Sequence, residues 1–215
     1  MIPKKIHFCW FGPNQYSPMV EKCIASWNKK LIGWEIILWN EKNSPIDHPF
    51  VKKALTDKKY AFVADYVRFY ALYNYGGVYL DTDIEIVKDL TPLLDNEFFS
   101  GSEDCEGQYV SAGVVGSVSG HIYLEQVLNY YDNLKKYETS PAILTKIFNN
   151  NKFSNISIYS HEYFYPYNPY DKNQKVKQLF FCDITKNTYA IHHWNFSWKR
   201  TKIQKIFDFL KNQFS

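Results

Sequence analysis

The chain has 215 residues, with 25 Lys+Arg against 22 Asp+Glu, a formal net charge of +3, 46% hydrophobic residues and 19% aromatics. That length suits one domain with a sizeable core, and such an aromatic, moderately charged composition excludes a disordered chain. No apolar run approaches the roughly 20 residues of a membrane-spanning helix, and the charge balance is not the broadly basic surface of a nucleic-acid binder.

The opening MIPKKIHFCWFGPNQ lacks the apolar stretch of a signal peptide, so a cytoplasmic protein is expected. Cys9, Cys23, Cys105 and Cys182 form no CxxC pair, which predicts four reduced, mostly buried thiols. In chain order, Lys5–Phe11 reads as a strand. Ser17-Pro18 then caps a helix carrying Val20, Ile24 and Trp27 at helical spacing. Trp34–Trp39 is a second strand, Pro49–Thr56 a short helix, and Ala61–Tyr75 a longer one closed by Gly76-Gly77. Val78–Val87 follows as a strand, with further strands near Phe98–Ser100 and Val110–Val115. Helices are predicted over His121–Leu134 and from a Ser140-Pro141 cap to Phe148, then a strand over Tyr189–His193 and a last helix over Ile203–Phe214. This alternation predicts a mostly parallel α/β sheet with helices on both faces, and ligands beyond the carboxyl ends of its strands.

The helix Ala61–Tyr75 is apolar or aromatic almost all round, and its only charges, Asp65 and Arg68, share a face at i, i+3. Two readings stand: an internal ion pair that satisfies only itself, or charges retained at a cost because they function. In the strand after it, Asp81, Asp83 and Glu85 alternate with Val78, Leu80, Thr82, Ile84 and Ile86. If the chain stays extended, Asp81 and Asp83 stand about 6.5–7 Å apart on one face. That spacing suits one carboxylate ligating Mg²⁺ or Mn²⁺ directly and the other acting through water or a sugar hydroxyl.

The block Ala64-Asp65-Tyr66-Val67-Arg68 through Gly76-Gly77-Val78-Tyr79-Leu80-Asp81-Thr82-Asp83 resembles the signature of DXD-containing retaining glycosyltransferases. That group includes yeast initiating mannosyltransferases and bacterial capsule and lipopolysaccharide enzymes. Ile2–Gly12 resembles the family's opening strand, and Tyr189–Trp198, with His192-His193 and Ser197-Trp198, its closing H-H-x-x-x-S-W segment. The resemblance implies a GT-A-type domain over residues 1–198; 199–215 reads, from the helical spacing of Ile203, Ile206, Phe207, Leu210 and Phe214, as a basic amphipathic C-terminal helix of the same domain. It further implies that Asp65 and Arg68 hold the donor sugar and diphosphate, and that Asp81 bridges ribose or sugar hydroxyls and metal. Asp83 would ligate the metal, Trp10 would flank the base, and Ser197 and Trp198 would touch the diphosphate. Either His192 or His193 would complete the metal sphere, since neighbours on a strand face opposite ways. Ser140 stands where relatives often have glycine, and Phe196 does so in the closing loop. Ser111-Ala112-Gly113 either lines the sugar pocket or packs tightly.

The implied function is transfer, with retention, from a nucleotide diphosphate sugar (UDP-linked first, GDP-linked second) to a carbohydrate acceptor in capsule or lipopolysaccharide synthesis. A metal-dependent phosphoester hydrolase and a non-catalytic sugar-binding module are the alternatives. Lys199, Arg200, Lys202, Lys205 and Lys211 against Asp208 make the last segment basic. It either docks on the domain or rests on an anionic inner membrane that presents a lipid-linked acceptor.

Overall fold

The computed structural model describes residues 1–107 and 109–195, and the helix predicted over Ile203–Phe214 lies outside them. The elements run β1 (Lys5–Cys9), α1 (Pro18–Lys30), β2 (Glu35–Trp39), α2 (Pro49–Thr56), α3 (Tyr60–Tyr75), β3 (Gly77–Leu80) and β4 (Ile84–Ile86). They continue with β5 (Phe98–Ser102), β6 (Val110–Ser117), α4 (Ile122–Asp132), α5 (Ser140–Asn150), β7 (Ile156–Tyr159) and β8 (Ala190–His192). A six-stranded sheet has the order β2-β1-β3-β6-β5-β7, and β4 pairs with β8 in a separate two-stranded sheet. Within the large sheet only β6 runs against the other strands, so the architecture is the mostly parallel α/β arrangement expected.

Two apolar layers cover the sheet. On one face α2, α3, α4 and α5 pack around Val51, Val63, Val67, Leu72, Leu124 and Ile143. On the other, Trp27 of α1 and Leu31 just past it meet Ile6, Phe8, Val78 and Leu80 together with Ile84 and Ile86 of β4. The indole N–H of Trp27 donates to the Ile84 carbonyl at 2.7 Å, tying α1 to the small sheet.

The α3–β3 junction sets the position of everything after it. Gly76 (φ 61) closes α3, and a Cβ on Gly77 (φ 119) would stand 2.8 Å from the Lys5 carbonyl oxygen. Only glycine lets β3 lie this close to β1. Trp39 Nε1–H donates to His7 Nδ1 at 3.0 Å, which leaves the His7 proton on Nε2 to donate to the Gly76 carbonyl at 2.8 Å. Burial lowers the His7 pKa and favours this neutral form.

Three expectations are corrected. The strand predicted over Val78–Val87 breaks: β3 ends at Leu80, the Ile84 N–H reaches back to the Asp81 carbonyl at 3.0 Å, and β4 joins another sheet. Asp81 and Asp83 therefore flank a turn rather than sharing the face of one extended strand. Ser140 is not the cap of α5: Thr139 occupies that position, and the Ser140 hydroxyl is used elsewhere. Of the four free thiols, Cys9 and Cys23 are buried but Cys105 and Cys182 are exposed.

Candidate active site

Strands β1, β3 and β5 end on the same edge of the sheet, where antiparallel β6 begins. Trp10, Asp81 and Glu103 follow those strand ends directly, and Ser111-Ala112-Gly113 opens β6 beside them. Four sequence-separated segments thus converge at the carboxyl edge.

Asp65 and Arg68 are buried on α3, with Arg68 Nη2 2.9 Å from Asp65 Oδ1. The pair does not satisfy only itself. Arg68 Nη1 donates to the Ala112 carbonyl at 2.8 Å and lies 3.2 Å from Asp81 Oδ1, while the Ser140 hydroxyl donates to Asp65 Oδ1 at 2.7 Å. Tyr79 adds its hydroxyl to Asp81 Oδ1 at 3.1 Å and offers its ring face to the guanidinium, 4.5 Å from the centroid. Burial alone would disfavour the Arg68 charge, but Asp81, Tyr79 and Asp65 together hold it firmly protonated. Burial pushes the Asp65 carboxyl up, against the pull of Arg68 and Ser140.

The turn between β3 and β4 brings the two aspartates to one place. Asp81, Asp83 and His192 each present a ligand atom within 4.8 Å of the others. Asp83 is fixed from β8 and the residues after it. His192 Nε2 lies 3.2 Å from Asp83 Oδ1, the Asn195 N–H donates to Oδ2 at 2.8 Å, and the His193 N–H donates to the Asp83 carbonyl at 3.0 Å. Burial raises the Asp83 carboxyl, but His192 and the Asn195 amide outweigh this and hold it below its ordinary value. Burial lowers the His192 imidazole, but Asp83, Asp81 and Glu103 more than compensate and hold it above its ordinary value. The Trp194 ring lies 4.1 Å from that of His192, on a backbone held at φ 54. Such a conformation for a bulky residue is strained and needs its surroundings to hold it. One tie is the Trp194 indole N–H, which donates to the Tyr167 carbonyl at 2.9 Å.

Two carboxylates and an imidazole form a donor set suited to a hard or borderline divalent cation. His192 Nδ1 is buried with no hydrogen-bond partner among the described residues. The ring nitrogen that faces the carboxylates is the other one, Nε2, 3.2 Å from Asp83 Oδ1, and it is the nitrogen a cation shared with the two aspartates would take. His193 is directed elsewhere, its Nε2 2.8 Å from Glu85 Oε2.

Of the other sequence candidates, Trp10 is half-buried just past β1. Its indole N–H donates to the Asn14 carbonyl at 2.7 Å, and its ring stands edge-on to Tyr16 at 4.7 Å. Ser197 and Trp198 lie outside the described residues, as does Phe196. Ser111-Ala112-Gly113 supports the site atom by atom. Ser111 Oγ donates to Glu103 Oε1 at 3.0 Å, the Ala112 carbonyl takes Arg68, and the Gly113 carbonyl accepts the Asp81 N–H at 2.8 Å. A Cβ on Gly113 would come within 3.1 Å of Asp81 Oδ2, so the bare backbone leaves that oxygen accessible.

Sequence reasoning missed Glu103. It follows β5 directly and accepts from the Ser111 hydroxyl, which puts it at the same carboxyl edge, and burial raises its carboxyl pKa against the opposing charge of His192. No local pattern marks it; its hydroxyl partner arrives from the next strand.

The family model described as "Glycosyltransferase sugar-binding region containing DXD motif" matches residues 17–100, which include Asp81-Thr82-Asp83. The chain is 31% identical over 136 residues to inositol phosphoceramide mannosyltransferase 3 of Schizosaccharomyces pombe, covering 59% of this chain and 36% of that protein. It spans about a third of the length of the fungal mannosyltransferases it matches. Over 237 residues it is 28% identical to a glycosyltransferase of Acanthamoeba polyphaga mimivirus, covering 96% of this chain and 88% of the viral one. Among solved structures, the galactosyltransferase LgtC in complex with donor and acceptor sugar analogues superposes with a TM-score of 0.53 at 15% identity, over 97% of this chain and 95% of that one. The fold is GT-A.

Proposed function

We propose that this chain, which carries the sugar-binding region of the DXD glycosyltransferases on a GT-A fold, transfers a sugar from a nucleoside diphosphate donor to a saccharide hydroxyl. The observation that carries the reading is the meeting of Asp81, Asp83 and His192 at the carboxyl edge, next to the buried Asp65–Arg68 pair. A phosphate-bearing substrate needs positive charge where its leaving group forms, and this edge offers a fixed guanidinium and a cation-binding donor set. Bound to Asp81, Asp83 and His192, Mn²⁺ or Mg²⁺ would supply Lewis-acid stabilisation of the diphosphate.

The chain's own groups then divide the work. Asp83 and His192 orient each other as ligands, and His192 takes the role left open between the two histidines. Asp81, held by Arg68 and Tyr79 on Oδ1, turns Oδ2 toward the open backbone of Gly113, where a donor hydroxyl fits. Asp65 and Arg68 hold the donor sugar and diphosphate, kept in place by Ser140 and Ala112. Glu103 is placed to accept a hydrogen bond from a sugar hydroxyl on the far side of the cleft. Trp10 flanks the base, and Ser197 with Trp198 contacts the diphosphate.

The finer reading is a retaining transferase using a UDP-sugar or GDP-sugar in capsule or lipopolysaccharide synthesis. Fungal relatives named as mannosyltransferases make mannosyl the first donor sugar to try. Residues 1–198 would be the catalytic domain, cytoplasmic, with the basic 199–215 segment resting on the inner face of an anionic membrane beside a lipid-linked acceptor. Among the described residues no helix is long and apolar enough to cross a membrane.

A panel of nucleotide sugars with Mn²⁺ or Mg²⁺, read by release of nucleoside diphosphate with and without saccharide acceptors, tests this. Transfer predicts acceptor-stimulated release abolished by chelator. Release of free sugar unaffected by acceptor would instead identify a hydrolase. Binding without turnover of any donor would identify a sugar-binding module.

A further inference from the structure

Between β7 and β8 the chain makes a long excursion with no strand of its own. Its base is tied down. Glu162 accepts from the Thr185 hydroxyl and the Asn187 amide, the Tyr189 N–H donates to the Tyr163 carbonyl, and the Asn168 amide donates to the Glu103 carbonyl. The outer part, residues 172–186, carries Lys172, Lys175, Lys177 and Lys186, all exposed, against the single acid Asp183. That acid is turned onto the chain itself: its Oδ2 accepts the Phe180 N–H at 2.7 Å and closes the single 3-10 turn Phe181–Asp183. The segment displays apolar side chains to solvent, with Phe181 90% exposed, Phe180 49% and Val176 54%. Elsewhere phenylalanine is a core residue here, as at Phe50, Phe69, Phe98, Phe99 and Phe164.

We propose that residues 172–186 form a docking surface for an anionic lipid bilayer, with Phe180 and Phe181 entering the interface and the four lysines meeting lipid headgroups. Exposed aromatics on a lysine-rich segment suit a bilayer interface, which needs apolar insertion and attraction to negative charge together. The other available cover is the chain's own segment 203–214. With the residues just before it that segment is basic, Lys199, Arg200, Lys202, Lys205 and Lys211 standing against Asp208 over 199–215, so like charges oppose its lying on this loop. Two basic elements serving one anionic surface is the arrangement that gives firm peripheral binding, since a single weak anchor dissociates readily.

The surface is linked to the candidate active site. Asp171 accepts from the Cys105 amide, two residues past Glu103, and the Tyr167 carbonyl holds the Trp194 indole beside His192. Docking would turn the cleft rim toward the membrane, where a lipid-linked acceptor lies. That consequence rests on the transferase reading, whereas lipid binding itself does not.

The test is co-sedimentation of the full chain with phosphatidylcholine vesicles with and without phosphatidylserine, at low and high salt. Three full-length variants accompany it: Phe180→Ser with Phe181→Ser, Lys172→Glu with Lys175→Glu, and Lys202→Glu with Lys205→Glu; Lys177 is left unchanged because it donates to the Asp171 carbonyl. Wild type should bind only the phosphatidylserine vesicles, more weakly in high salt. Both loop variants should lose about tenfold or more in partitioning, with an unchanged melting temperature because the altered side chains are exposed. Nucleotide release with a soluble acceptor should be unchanged in both, which keeps this result separate from failure of the transferase reading. Loop variants that partition like wild type, binding lost only in the Lys202→Glu/Lys205→Glu variant, or equal affinity for both vesicles would overturn the proposal.

Discussion

Replacing Asp83 with Asn probes the candidate metal group without removing volume. In the wild type, Asp83 Oδ2 accepts the Asn195 N–H at 2.8 Å and Oδ1 lies 3.2 Å from His192 Nε2. Asparagine can keep the first of these through its carbonyl oxygen, but it loses the ion pair with His192 and the negative charge that a cation needs. Losing one hydrogen bond to a charged group costs about 1.5–3 kcal/mol. For a chain of this size that lowers the metal-free melting temperature by roughly 3–12 °C. The more telling readout is the metal-dependent increment. A cation at a hundred times its dissociation constant stabilises the native state by about 2.7 kcal/mol, and Asp83→Asn should abolish that increment. Thermal melts over a Mn²⁺ titration, wild type against variant, measure both quantities at once. An Asp83→Asn protein with the wild-type Mn²⁺ increment would refute the ligand assignment, whatever its metal-free stability.

Three further outcomes follow from the same geometry. Arg68→Ala should destabilise by about 3–5 kcal/mol because it strands the buried Asp65 and frees Asp81; Arg68→Lys, tested by donor titration and melting together, should recover most stability but not donor affinity. Ser140→Ala removes the hydroxyl that donates to Asp65 Oδ1, so it should cost about 1–3 kcal/mol and raise the donor KM, measured by steady-state kinetics. The metal-free protein should be most stable between two titrations, as melts over a pH series will show. The raised His192 contributes fully below its ordinary 6.5 and loses that contribution as pH rises through its folded value. The depressed Asp83 contributes above its ordinary 3.8 and loses that as pH falls through its folded value. Because a metal must displace the His192 proton, the Mn²⁺ increment should grow as pH rises through the same region.

The local elements were legible because each is written in a short window. The buried helix with Asp65 and Arg68, the glycine pair that ends it, and the Asp-Thr-Asp after it all follow from spacing. What failed was long-range. Period-2 alternation runs unbroken from Val78 to Val87, so nothing in the pattern shows that the chain changes sheets at Asp81. The turn-forming residues Asp81 and Asp83 were the available signal. Ser140-Pro141 has the sequence of a cap, but a buried carboxylate 75 residues away claims the hydroxyl. His192 and His193 are equivalent as neighbours on a strand. Only the pairing of β8 with β4 separates them, giving His192 to Asp83 and His193 to Glu85. Glu103 reaches the site through β5 and the opening of β6, a contact that no periodicity encodes.

The central claim, sugar transfer at the Asp81–Asp83–His192 group, is tested most directly by following the sugar itself. The protein is incubated with an isotopically labelled nucleotide sugar, a saccharide acceptor and Mn²⁺, and the products are resolved by NMR. The account predicts label joined to the acceptor with the donor's anomeric configuration, in amounts matching the nucleoside diphosphate released, and no product from Asp83→Asn. Label recovered only as free sugar, or product formed equally by wild type and Asp83→Asn, would contradict it.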